Sequence, residues 1–229
     1  MANPQVHARS SARKFGGVWH NYIDLHSFLD SSKLHYAKAS HRALLHHEFG
    51  KALAVDIFTN EYVSAVHAWD DEVAIKCSRE FHTKVVEQHF EEDFNRFVPS
   101  VEIWFEGSDE EKRPQMLRCL SIEEQCVESV RHFGGQSDDY LALHSFIDSI
   151  TNECKGAWGI THSTFGLSLA EKKFGYVIGP RDVPTRTAAE KHILAEFGEI
   201  PSAQDWLEAL PIRPWMYNQA TQLSVELAK

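Results

Sequence analysis

The residues best suited to chemistry in this sequence are histidines followed four positions later by a carboxylate: His26–Asp30, His89–Asp93, His144–Asp148 and His192–Glu196. Side chains four apart share one helix face, so each pair offers an imidazole nitrogen and a carboxylate oxygen to the same neighbour. Two facing helices with one such pair each would surround a divalent ion with mixed nitrogen and oxygen donors, a set that suits zinc, manganese or iron. The reaction class open to such a centre is metal-assisted hydrolysis of a phosphate ester. The chain has 14 histidines in 229 residues, clustered between His20 and His47, and imidazole is both the commonest metal ligand and a proton carrier near neutral pH. His41 and His46 are further candidate ligands or general bases. Five residues apart on a helix they diverge by about 140°, so both reach one site only if it lies between several helices. Lys33 and Arg42 could hold a phosphate or carboxylate. The catalytic candidates are thus His41, His46, Lys33 and Arg42, and the metal candidates His26, Asp30, His41, His46, His89 and Asp93. The competing reading is structural: a His and an Asp one turn apart can bond each other and tie down a loop.

The pairs recur because the chain repeats itself. Phe15 to Ser31 (FGGVWHNYIDLHSFLDS) aligns with Phe133 to Ser149 (FGGQSDDYLALHSFIDS), and His46 to Phe58 with His162 to Phe174. Glu87 to Phe97 aligns with Glu190 to Ile200, Pro99, Ser100 and Trp104 with Pro201, Ser202 and Trp206, and Arg113, Pro114 and Met116 with Arg213, Pro214 and Met216. Tandem duplication is the direct reading, with residues 1–120 the first repeat (core Phe15 to Met116) and 121–229 the second (core Phe133 to Met216). The second copy is shorter, chiefly opposite Thr59 to Glu87, where a loop or insertion is expected in copy one. It supplies the counterpart candidates His144, Asp148, His162, His192 and Glu196.

Each copy reads as mainly helical. A first helix starts near Asn21 or Asp139, with Tyr22, Leu25, Phe28 and Leu29 as its apolar stripe. A second runs from about Ser40 to Phe58, and Gly50 and Gly166 within it suggest close approach between helices, since glycine there costs about 1 kcal/mol. In copy two, Thr187 and Glu190 form a capping box for a third helix that Gly198 ends. Ser202 and Asp205 open a last short helix that Pro211 stops. Short β-hairpins are expected at Val73 to Ser78 and at Tyr176 to Arg186, and a surface helix or frayed tail after Met216. The predicted fold is mainly α: two tandem, pseudo-two-fold-related helical repeats sharing a core. Single-unit relatives would form homodimers that this chain imitates covalently, as a monomer or itself a homodimer.

Composition narrows the classes. A net charge of −10, from 33 acidic and 23 basic residues, disfavours binding to a phosphate backbone. Cys77, Cys119, Cys126 and Cys154 contain no C-x-x-C pair, so neither a zinc ribbon nor a redox dithiol is indicated. The polar, basic start has no apolar signal core, and no run approaches the roughly 20 apolar residues of a membrane span. A cytoplasmic protein is expected, in the host cytoplasm if phage-encoded.

The stretches LHSFLDSSKLHYAKASHRALLHHEFG and AEKHILAEFGEIPSAQDWLEALPIRPWM resemble the opening and closing motifs of an uncharacterised bacterial and phage family, domain-of-unknown-function family 6915. The resemblance implies a bacterial or phage setting and no particular activity. Copy two departs from the opening motif: opposite His41, Arg42 and their neighbours it has Lys155, Gly156, Ala157, Trp158 and Gly159, and only His162 survives opposite His46. Chemistry needing His41 and Arg42 therefore runs at most once per chain, with copy two as scaffold. Two functions follow: a metal- or ligand-binding protein, as an enzyme a metal-dependent phosphoesterase, or a non-enzymatic protein that binds a host or defence partner.

Overall fold

The structure is a computed structural model describing residues 3–66, 71–94, 98–150, 155–211, 213 and 216. Cys154, Pro214 and the tail after Met216 lie outside the described residues. The chain forms two compact units, one of Met1–Ile103 with Ile212–Lys229, the other of Trp104–Pro211.

The first unit opens with α1 (Pro4–Phe15), capped by the Asn3 side chain, which accepts from the Gln5 N–H. Pro4 sits in the first turn, where a missing N–H costs nothing. The helix stops at Gly16 and Gly17, whose φ of 89° and 73° favour residues without a Cβ. The repeated Phe-Gly-Gly motif is this turn, and Tyr22 latches it by donating its hydroxyl to the Gly16 carbonyl at 2.8 Å. Its counterpart Tyr140 does the same to Gly134, also at 2.8 Å. A 3₁₀ turn (Trp19–Asn21) precedes α2 (Ile23–Leu29), so the helix proper starts just beyond Asn21.

After a 3₁₀ turn at Ser31–Leu34, a further one, Ala39–Leu44, occupies the expected start of the next helix, and α3 runs Glu48–Ala65. Gly50 therefore lies in the first turn of α3. Its tight neighbour is the Leu45 carbonyl, at the turn entering its own helix, rather than a second helix; Gly166 stands likewise against Thr161. The long helix α4 (Glu72–Phe94) contains Val73 to Ser78, which overturns the hairpin expected there. The stretch missing from copy two is thus largely helical, lengthening α3 and α4 relative to their counterparts. Leu29, Leu44, Leu45, Ala54, Val86 and Phe90 fill the interior. A short α5 (Val101–Phe105) follows.

The second unit contains α6 (Ile122–Phe133), with a Ser121–Glu124 capping box, and α7 (Asp138–Ile147). The 3₁₀ turns Asp148–Ile150 and Lys155–Ile160 lead to α8 (Thr164–Phe174). A two-stranded antiparallel sheet pairs β1 (Val177–Ile178) with β2 (Val183–Pro184). Then come α9 (Thr185–Phe197), ended by Gly198 at φ 76°, and α10 (Ala203–Leu207), which has the Ser202–Asp205 box. Because α9 begins at Thr185 behind Pro184, Thr187 and Glu190 lie inside it and cap nothing. The stretch from Trp104 to Leu120, copy one in sequence, is part of this unit: the Leu117 and Arg118 N–H groups donate to the Glu196 carbonyl at 2.8 and 3.2 Å. Among the described residues no helix is long and apolar enough to cross a membrane.

Candidate metal centres

Each unit buries one cluster of two imidazoles and two carboxylates. In the first, α2 supplies Asp30 as its C-terminal cap, the residues entering α3 supply His46, and α4 supplies His89 and Asp93 one turn apart. One donor atom from each of these four lies within 4.8 Å of the others. His46 Nε2 is 3.1 Å from His89 Nε2, 3.2 Å from Asp93 and 3.8 Å from Asp30. In the second unit the four are Asp148, His162, His192 and Glu196, again within 4.8 Å. Its imidazole-to-carboxylate distances are 3.5 and 3.3 Å for His162 and 3.3 and 3.6 Å for His192. Donors at about 2.0–2.2 Å from a tetrahedral ion are about 3.3–3.5 Å from one another, so the second cluster has the dimensions of an ion's coordination shell. Nε2 of His162, Nε2 of His192 and Oε2 of Glu196 are buried and carry no hydrogen bond. A cation would satisfy these atoms together; without one, burial opposes the charge on His192, but bonds to Asp148 and Glu196 prevail and raise its pKa.

A chain of bonds behind the first cluster fixes which imidazole nitrogen is bare. The Gln88 amide nitrogen donates to Glu92 at 2.7 Å, which turns its oxygen toward Ser11, whose hydroxyl donates to it at 3.0 Å. Ser11 Oγ then accepts from His26 Nε2 at 2.9 Å. Burial, followed by the charge on His7, pushes the His26 pKa down to about 3, so His26 is neutral and its Nδ1 accepts from His89 Nδ1 at 2.9 Å. His89, also kept neutral by burial, is left with an unprotonated Nε2, which meets His46 Nε2 at 3.1 Å inside the cluster. Such outer partners orient ligating histidines and set their tautomer. The second unit repeats the relay at the same distances: Ser129 to His144 at 2.9 Å, His144 to His192 at 2.9 Å. Burial, then proximity to His192, lowers the His144 pKa to about 3.

Of the remaining sequence candidates, His26 and His144 thus stand behind the clusters as bracing groups. His41 is buried, its ring centroid 6.1 Å from that of His46, outside the converging four. Arg42 bonds Asp93 at 2.8 Å and Lys33 pairs with Asp30 at 2.7 Å. His7, on α1, has no place in the sequence reading, yet it contacts Glu92 at 2.6 Å and Asp93 at 3.5 Å. Burial works against its charge, but bonds to Asp93 and Glu92 prevail and raise its pKa to about 9. Burial likewise opposes the charge on Asp93, but His46, His7 and Arg42 hold its carboxyl far below the usual range. The available signal for α1 is the repeat itself, which extends upstream of Phe-Gly-Gly through Ser11/Ser129 and Arg13/Arg131.

The two surroundings differ in charge. The carboxylates Asp30, Glu92 and Asp93 face the cations Lys33, Arg42 and protonated His7. At the aligned positions copy two has Thr151, Trp158 and Gln125 for those cations and Ala195 for Glu92. The ligand set recurs, with Glu196 for Asp93, while these three basic residues do not.

A family model described as a domain of unknown function (DUF6915) matches the chain twice, over residues 2–113 and 121–216. Neither a curated protein nor a solved structure matches it.

Proposed function

The chain belongs to the DUF6915 family, two of its domains in tandem, and from that premise we propose that each domain binds one divalent transition-metal ion through its two histidines and two carboxylates. The observation that carries the reading is the convergence of unbonded, buried donor atoms on one point, clearest at His162, His192 and Glu196. Each such atom left unpaired costs about 1–3 kcal/mol, a cost that coordination to a cation removes. Two imidazoles and two carboxylates suit zinc, manganese or iron more than calcium or magnesium, which favour all-oxygen shells. The reaction class proposed is hydrolysis of phosphate esters or nucleotides, for which the ion would supply a Lewis acid.

Elemental analysis of the purified chain, stripped with chelator and reloaded with zinc, tests the binding. Two ions per chain are expected, and one each in His89→Ala and His192→Ala. No retained ion, with a melting temperature indifferent to chelator, overturns the reading. A screen of phosphodiester and nucleotide substrates tests the reaction class separately.

The second reading, a non-enzymatic protein that binds a protein partner, is favoured by one observation. Asp30, His46, His89 and Asp93 are each at most 4% exposed, so the first centre is sealed. Two bound ions without turnover of any phosphoester would select it.

A further inference from the structure

The second cluster differs from the first in having a way in. Asp148 keeps 17% of its side-chain surface exposed, and with Glu196 it forms part of the wall of a cavity of about 410 Å³. Ser145 and Ser149 edge this cavity, and Met116, Cys119 and Trp158 continue into an adjoining one of about 530 Å³. Both belong to the second unit and lie under the segment running from Glu110 to Ile122. The Leu120 N–H donates to Glu196 Oε1 at 3.3 Å, which leaves Oε2 to the cluster. Trp158 stands where copy one has Arg42: an indole wall beside a cavity replaces a guanidinium on a carboxylate.

We infer that the second centre is the one with an exchangeable coordination position, and that its cavity admits a small molecule presenting an oxygen donor to the ion and a planar apolar body to Trp158 and Met116. This rests on the metal-binding reading above. A site with four protein donors is closed unless the ion expands to take a fifth ligand; the cavity beside Asp148 leaves room for that ligand at the second centre, whereas the first is sealed. A divalent ion held by Asp148 and Glu196 is charge-neutral as a unit, so the site selects its ligand by donor geometry and apolar contact rather than by charge. The division reverses the expectation that copy two is the scaffold: the first centre, with its own cations in place, is the scaffold, and the second does the binding.

The test uses the full chain loaded with cobalt(II), whose visible absorption reports its ligands, and benzohydroxamate as probe. Two cobalt ions per chain and a spectral change saturating at one hydroxamate are expected. His89→Ala should keep that change, and Asp148→Asn should weaken it at least tenfold. Ser145→Leu, which fills the cavity and leaves every donor intact, should keep both cobalt ions and abolish the change. Two bound cobalt ions with no response, a response untouched by Ser145→Leu, or one lost in His89→Ala overturns the inference while leaving metal binding intact. Failure to bind cobalt at all removes the metal reading, and this inference with it.

Discussion

Asp93 and Glu196 sit on the same turn of equivalent helices, each one turn beyond a histidine. Asp93 meets the Arg42 guanidinium at 2.8 Å, whereas Glu196 accepts a backbone N–H from Leu120 through one oxygen, at 3.3 Å, and faces His162 at 3.3 Å with the other. Asp30 similarly holds Lys33 at 2.7 Å, and its counterpart Asp148 is partly open to a cavity. The donors and the Ser–His–His relay behind them are common to both copies, so they belong to the inherited domain. What diverged is the countercharge. One copy sets Arg42, Lys33 and His7 against its carboxylates and closes; the other has none of these three residues and keeps Asp148 partly open.

The largest effect that tests this contrast is on Arg42. In chelator, Arg42→Met should lower unfolding free energy by about 3–5 kcal/mol, because the buried Asp93 loses its guanidinium partner. Zinc should restore much of the loss, as measured by urea unfolding with and without metal. A loss that zinc does not touch would mean the guanidinium packs rather than substitutes for a cation.

Next is pH. His7 has a folded pKa of about 9, above its ordinary 6.5, so its contribution is complete below pH 6.5 and lost as pH rises through 9. The metal-free protein should therefore lose on the order of 2–3 kcal/mol between those limits, and His7→Gln should flatten the slope. An unchanged slope in His7→Gln would break the claim that the first cluster carries its own positive charge. Copy two has Gln125 at that position, and the raised pKa there belongs to His192 instead, where bonds to Asp148 and Glu196 outweigh burial.

Ser11→Ala and Ser129→Ala probe what the copies share. Each should weaken zinc at its own centre by about 10–100-fold, as loss of an outer partner does, read by competition with a chromogenic chelator. A drop in only one copy would show that the relays are not equivalent. The smallest effect is expected from Lys33→Met, whose side chain is 27% exposed. Zinc at the first centre should tighten several-fold, since a partly solvated pair is worth about 1 kcal/mol or less.

The sequence by itself determined the duplication, the helical class, the Ser202–Asp205 cap and the placing of each histidine with a carboxylate on one face. Those properties are local: a period of 3.6 fixes which side chains share a face, and a capping side chain reaches only its own first turn. Only the tertiary structure decided which neighbour each face meets. That is why His46, at the entry to α3, joins the donors, while His26, with the same spacing signal as His89, ends up behind it. It is also why His7, on a helix with no assigned role, arrives beside Asp93. The Val73 to Ser78 stretch went to helix because, joined to the residues after it, it extends a single helix along α3, a preference that six residues read alone do not reveal. Which copy seals its centre followed from packing too, since exposure of Asp148 depends on the chain that lies over it.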